Sequence, residues 1–200
     1  MRRVFIPKER KHGCLEILNE NCFSAYVGFT AMGFEIEYYE GNDIPENLHR
    51  SDIVVGYIGN VKKALRKLGI EAPTEIDYPK ELDAYWGRKI WKSTIDEVKP
   101  EEFPVFVKPV SGKFFTGRLV ESFKDLIGTR NQSENTPIWK SEPVKFVTEW
   151  RVFVRYGKVL DARHYKGSPY SALDESIVEE AIGRFKSQPA AFSIDFGLTD

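Results

Sequence analysis

Lys108 closes an apolar run, Val105-Phe106-Val107-Lys108-Pro109. A charge at the end of such a strand is solvated at an edge, paired, or presented to an anion such as phosphate. Ser111 to Gly117 follows as a glycine-bounded loop carrying Lys113. Its backbone N–H groups could close over phosphate oxygens, or it is a plain hairpin loop; it lacks the Walker A spacing. Further on comes Trp139-Lys140-Ser141-Glu142-Pro143-Val144, where Pro143 interrupts an extended segment and predicts a bend offering backbone groups to a planar base. Glu149 then opens a strand in which Arg151, two residues on, shares its face. Across a tight Tyr156-Gly157 turn, Arg163 and Tyr165 lie in phase with each other and Lys166 follows. Two arginines and a lysine on one hairpin make either an anion-binding face or an acid-paired surface, with Glu149 and Asp161 as the acids. His164 points to the opposite strand face and reads as structural.

These residues must be positioned by a chain of 200 residues, enough for one or two domains. The 29 Lys and Arg against 30 Asp and Glu leave a net charge of −1, which argues against bulk electrostatic binding of nucleic acid. At 42% hydrophobic and 30% charged, the composition is that of a globular chain rather than a disordered one. No apolar stretch approaches the roughly 20 residues of a membrane helix, and MRRVFIPKERK has no apolar core for a secretory signal. Cys14 and Cys22 read as two free thiols, with a single bridge as the alternative, and His12, His49 and His164 are scattered. The cytoplasm is the expected location.

Short apolar runs alternate with helical patterns, the signature of a mixed α/β chain. Strands are expected at Arg3 to Ile6 (ending at Pro7), Glu35 to Tyr39 and Asp52 to Tyr57, with helices at Asn21 to Met32 and Val61 to Leu68. Glu71 to Pro79 reads as a connector and Glu81 to Val98 as a helix. The second half is richer in hairpins: strands at Phe103 to Lys108, Arg118 to Val120, Val147 to Arg155 and Lys158 to Tyr165, a helix from Asp174 to about Lys186, and a last strand at Ala191 to Phe196. A boundary is drawn near residue 100, giving domains 1–100 and 101–200.

VFVKP, the glycine-bounded loop, SEPV, EWRVFV, ARHYKG and IDFG occur in an order that resembles an ATP-grasp domain, and more narrowly the ATP-grasp clade named for two arginines and a lysine. The resemblance covers roughly Gly87 to Asp200. It implies an α/β (α+β) protein, with a Rossmann-like α/β domain ahead of an ATP-grasp domain of largely antiparallel sheets. It further implies ATP and Mg2+ as cofactors. Lys108 would contact the phosphates, Lys113 would ride on a phosphate lid, and Ser141, Glu142 and Val144 would form the hinge, the last two offering backbone groups to adenine. Glu149, seven positions after Glu142, would take the ribose. Arg151, Arg163 and Lys166 would face the γ-phosphate or an acyl phosphate, and Asp195 would be the first metal ligand. A Glu-x-Asn strand usually follows; it is not in the sequence, so the domain is expected to be C-terminally incomplete.

The implied activity is ATP-dependent ligation of a carboxylate, on a small molecule or peptide, to an amine or related nucleophile through an acyl phosphate. The alternatives are a non-catalytic nucleotide- or anion-binding module and a nucleic-acid end-binding protein using the aromatic basic segments. Neither a membrane nor a nucleic acid is signalled as partner. Lys8, Arg10, Asn60 and Arg88 are the first half's candidates for substrate contact, each with a plain surface role as the alternative.

Overall fold

The apolar run Val4-Phe5-Ile6 becomes the middle of a central strand, β1 (Arg3–Lys11), buried on both faces. The computed structural model describes residues 2–111, 115–129 and 135–199. They divide into two units, Met1–Thr74 and Glu75–Asp200. In the first, β1 pairs in parallel with β3 (Glu35–Glu40) and β4 (Ile53–Val54), and antiparallel with β2 (Cys14–Ile17). Val4 and Ile6 pack with Cys22 of α1 (Glu20–Ala31), while Phe5 packs with Tyr39, Ile44 and Ala64 of α2 (Ile58–Lys67). The Asn19 side chain caps α1 by accepting from the Cys22 N–H at 3.0 Å. Cys14 and Cys22 are both free thiols.

Three expectations need correction in this unit. β1 does not end at Pro7. That residue falls on an edge between the stretches covered by β4 and β2, so its missing N–H costs no ladder bond, and its carbonyl accepts from Leu18 N at 3.1 Å. The strand read at Asp52 to Tyr57 shortens to two residues, and the Val55 carbonyl accepts from the Tyr39 hydroxyl at 2.5 Å. Asn60, a candidate surface residue, is buried on α2, where its Nδ2 donates to the Gly41 carbonyl and to Asn42 Oδ1. Asn60→Ala should therefore destabilise the protein by about 1–2 kcal/mol, read as a lower denaturation midpoint at unchanged slope.

The second unit begins earlier than residue 100 because Glu81 to Val98 is not a helix. A 3-10 segment, Lys80–Tyr85, stops ahead of Gly87, which sits at φ +63°, in the left-handed region that continues no right-handed helix. The chain then extends as β5 (Ile90–Thr94), whose Ile, Trp and Thr suit a strand, and pairs with β8 (Pro137–Ser141). With β6 (Val105–Pro109) and β7 (Arg118–Val120), these form an antiparallel sheet in the order β5-β8-β6-β7 over a core of Ile95, Val105, Val107, Val120 and Ile138.

The second antiparallel sheet places β9 (Phe146–Arg155) between β10 (Lys158–Gly167) and β11 (Ala191–Thr199). The Tyr156-Gly157 turn has both residues at positive φ, +49° and +70°, as a two-residue hairpin loop requires. Val152 and Val154 pack against Val178 and Ile182 of α3 (Glu175–Arg184), capped by Asp174, so β9's alternate residues, including Glu149 and Arg151, occupy the other face. The mixed α/β architecture with antiparallel sheets in the second half is the expected one. Among the described residues, no helix is long and apolar enough to cross a membrane.

Candidate functional site

Lys108 on β6 lies opposite Trp139 on β8 and is neither a solvated edge nor an open anion hook. Its ammonium is ion-paired with Asp77, 31 residues earlier, and stands 4.2 Å from the centroid of the Tyr78 ring. Tyr78 in turn meets Trp86 and Trp139 edge-on, at 5.9 and 5.3 Å. Burial pushes the Asp77 carboxyl above its usual range, and the hydrogen bond and charge of Lys108 only partly offset this. Arg88 closes the group: Nη2 donates to the Tyr78 hydroxyl (3.4 Å), Nη1 to the Trp86 carbonyl (3.4 Å), and Nε to Ser141 Oγ (3.3 Å). Its guanidinium also lies 5.6 Å from the Phe146 ring centroid. Arg88 is thus an organising residue between the two sheets rather than a plain surface one.

The bend expected at Pro143 is present, as residues 142–145 leave the ladder between β8 and β9. Ser141 is buried and its hydroxyl donates to the Glu142 carbonyl at 3.1 Å. Glu142 grips Lys89 twice: its own N–H donates to the Lys89 carbonyl at 3.1 Å, and its Oε2 accepts from Lys89 N at 2.9 Å. Val144 is half-buried in the bend. Phe146 crosses onto β11, where Gly197 admits it: a Cβ there would lie 2.4 Å from the Phe146 ring. Lys113 falls outside the described residues.

The open face of the second sheet collects the remaining candidates. The register sets Arg163 and Asp195 on either side of Arg151, and Lys166 and Gly197 on either side of Glu149. A bulge between His164 and Lys166 lets two consecutive residues reach one acid. Tyr165 Oη donates to Glu149 Oε2 at 2.9 Å and Lys166 Nζ to Oε1 at 2.6 Å. Burial, reinforced by that bond to Glu149, pushes the Tyr165 hydroxyl up to about 12. Arg151 forks onto both oxygens of Asp195, at 2.7 and 2.8 Å, and that bond raises its already high pKa further. Arg163 pairs with Asp161 at 2.6 Å. The cations are therefore acid-paired: Glu149 and Asp161 take Lys166 and Arg163 as the hairpin reading has it, while Arg151 takes Asp195 from β11 instead. His164 packs edge-on to Trp150 on the far face.

These pairs differ in how firmly they are held. Side chains of Arg151, Arg163 and Lys166 are 49%, 73% and 69% exposed, and exposed pairs contribute at most about 1 kcal/mol each, so a polyanion can displace them. Lys140, 3% exposed, is different: it donates to both oxygens of Glu102 and to the Glu97 carbonyl, and is committed to the fold. Among the described residues, no three His, Cys, Asp or Glu gather as a metal site, and Asp195 has both oxygens on Arg151. The described residues do not form a ready divalent-cation cage.

Residues 85–200 match the family model of the ATP-grasp domain, R2K clade family 2. The chain belongs to this ATP-grasp family. No curated protein matches it in sequence. Among solved structures, D-alanine–D-alanine ligase from Bacillus anthracis is similar at 16% identity, with a TM-score of 0.54 for the complex with ATP (99% of this chain, 82% of that one) and 0.55 for a second structure (100% and 84%). The ATP-grasp ligase PsnB, in complex with a minimal precursor, is similar at 12% identity and a TM-score of 0.50, over 98% of this chain and 86% of that one. At these identities the likeness establishes the fold.

Sequence reasoning missed Asp77 and Tyr78, which it placed in a connector and which precede the residues matched to the family, and gave Tyr165 and Lys140 no role. The bulge that turns Tyr165 onto Glu149 leaves no mark in a two-residue repeat. The aromatic density of Tyr78, Trp86 and Trp139 was the available signal for the group around Lys108.

Proposed function

We propose that this ATP-grasp domain carries an ATP-dependent carboxylate–amine ligase, or a ligase using a related nucleophile, that works through an acyl phosphate. The observation that supports the reading best is the single exposed sheet face of Glu149, Arg151, Arg163, Lys166 and Asp195, joined by Arg88 and Phe146 to the hinge Ser141, Glu142 and Val144. In this reading adenine lies at the hinge, with Val144 and Glu142 at its edge, Glu149 takes the ribose, and Lys108 and Lys113 take the phosphates. A substrate carboxylate oxygen attacks the γ-phosphorus and ADP leaves. The amine nitrogen then attacks the acyl carbon, loses a proton, and inorganic phosphate departs. Arg151, Arg163 and Lys166 neutralise charge on the transferred phosphoryl group, so positioning and electrostatics carry the rate. Asp195 is the acid offered to phosphate-bound Mg2+; with no cage among the described residues, no step is assigned to the ion.

The test is hydroxylamine trapping. ATP, Mg2+ and pools of small-molecule and peptide carboxylates should yield ADP and hydroxamate, and Arg151→Ala should cut the rate at least about 100-fold. A second reading, a non-catalytic nucleotide-binding module, is favoured by the two-pronged Arg151–Asp195 pair. ATP binding without ADP formation across every pool would select it and sink the ligase.

A further inference from the structure

Lys108 is the phosphate-facing cation of the proposed ATP groove, and its charge is already satisfied by the chain itself. The partner, Asp77, comes from residues 75–79, which form neither helix nor strand. Three features make its seat resemble an anion site with an internal occupant. The Lys108 ammonium meets the carboxylate directly, and the Tyr78 ring lies beside that ammonium. The buried Trp139 indole N–H is near enough to favour the charged carboxylate, yet completes no hydrogen bond. Arg88 holds Tyr78 by its hydroxyl, so the neighbour that delivers Asp77 is itself anchored.

We infer that Asp77 is a built-in competitor for the phosphates of ATP: its carboxylate occupies Lys108 in the empty groove and must leave before Lys108 can serve the nucleotide. The physical case is one of charge. One ammonium neutralised by a carboxylate cannot also neutralise a phosphate at full strength, and a bound polyphosphate brought against Asp77 would meet a like charge. Release is cheap for the carboxylate, since leaving its partly buried seat returns it to water. Asp77 thereby sets a threshold for ATP and keeps Lys108 from other anions. A competitor that fills the seat in about nine molecules of ten weakens the apparent affinity about tenfold.

This rests on the ATP-groove reading, and calorimetric titration of the full chain separates the two. Asp77→Asn keeps a group that can bond Lys108 but removes the charge. It should bind ATP about tenfold tighter than the unmodified protein, while adenosine, which brings no phosphate, binds unchanged. Asp77→Ser is the substitute where the amide fails to fold. ATP bound equally or more weakly by either folded variant, against Lys108-dependent binding by the unmodified chain, overturns the competitor and assigns Asp77 to holding Lys108 in place. Equal tightening of adenosine overturns it too, as a general loosening of the groove. ATP binding by neither folded protein overturns the groove reading together with this inference.

Discussion

Lys108→Ala should weaken ATP binding by roughly 30- to 150-fold, the loss of about 2–3 kcal/mol that a charge-assisted contact contributes. The reason lies in its position. Lys108 is held on β6 opposite Trp139, with its ammonium beside the Tyr78 ring, so the charge is presented from a strand rather than from a loop. Thermal unfolding measures the effect directly. ATP at 100 times its dissociation constant stabilises the unmodified protein by about 2.7 kcal/mol, whereas a variant binding 100-fold more weakly gains only about 0.4 kcal/mol at that concentration. Removing the ammonium also leaves Asp77 without its partner in a site that already disfavours its charge. The Lys108→Ala, Asp77→Asn double variant therefore separates nucleotide loss from a damaged fold: it should regain stability while still binding ATP weakly. An undiminished ATP shift in Lys108→Ala would show that this lysine does not face the phosphates.

Lys140→Met carries the largest expected loss of stability, about 2–4 kcal/mol. Its ammonium is 3% exposed and bound by Glu102 and the Glu97 carbonyl, so truncation leaves both acceptors unmatched. Breaking a fully buried pair costs more, and Glu102, 29% exposed, recovers some hydration. A loss of about 3 kcal/mol corresponds to a Tm roughly 6–12 °C lower for a chain of this size. The pH dependence has a definite sign. Burial raises the Glu102 carboxyl, but the bonds from Lys140 and the Lys99 N–H outweigh it and hold the group below its ordinary 4.5. The pair's contribution is thus present above that value and is lost as pH falls through the lower folded-state pKa. The stability gap between the unmodified chain and Lys140→Met should narrow in acid, and Glu102→Gln in the Lys140→Met background should recover part of the loss. A gap that stays constant to pH 3 would mean that the ion pair does not carry the effect.

Strands of the second half were legible where one face is buried, as Val105 and Val107, or Trp150, Val152 and Val154, recur at every second residue, and the Tyr156-Gly157 turn fixes the register of β10 against β9. The segment from Glu81 to Val98 was misread because Leu82, Tyr85, Trp86, Ile90 and Trp91 satisfy a helical period by coincidence. Gly87 and the free edge of β8 decided against it, and an edge 50 residues away has no local signature. Pro7 was misread for a related reason, since a proline stops a strand only where its missing N–H faces a partner.

Residue types and their order carried the resemblance to the ATP-grasp family: a strand-end lysine, a bend marked by Pro143, an acid seven residues after Glu142, and a basic hairpin. Such features are set by covalent spacing and by the two-residue period of a strand, both local. Tertiary structure decided which acid each cation meets. Lys108 finds Asp77 across 31 residues and Arg151 finds Asp195 across 44, while a single bulge delivers both Tyr165 and Lys166 to Glu149. Charge pairing falls off with distance in space and is indifferent to separation along the chain, so only the folded sheets could turn a clustered basic face into a neutralised one.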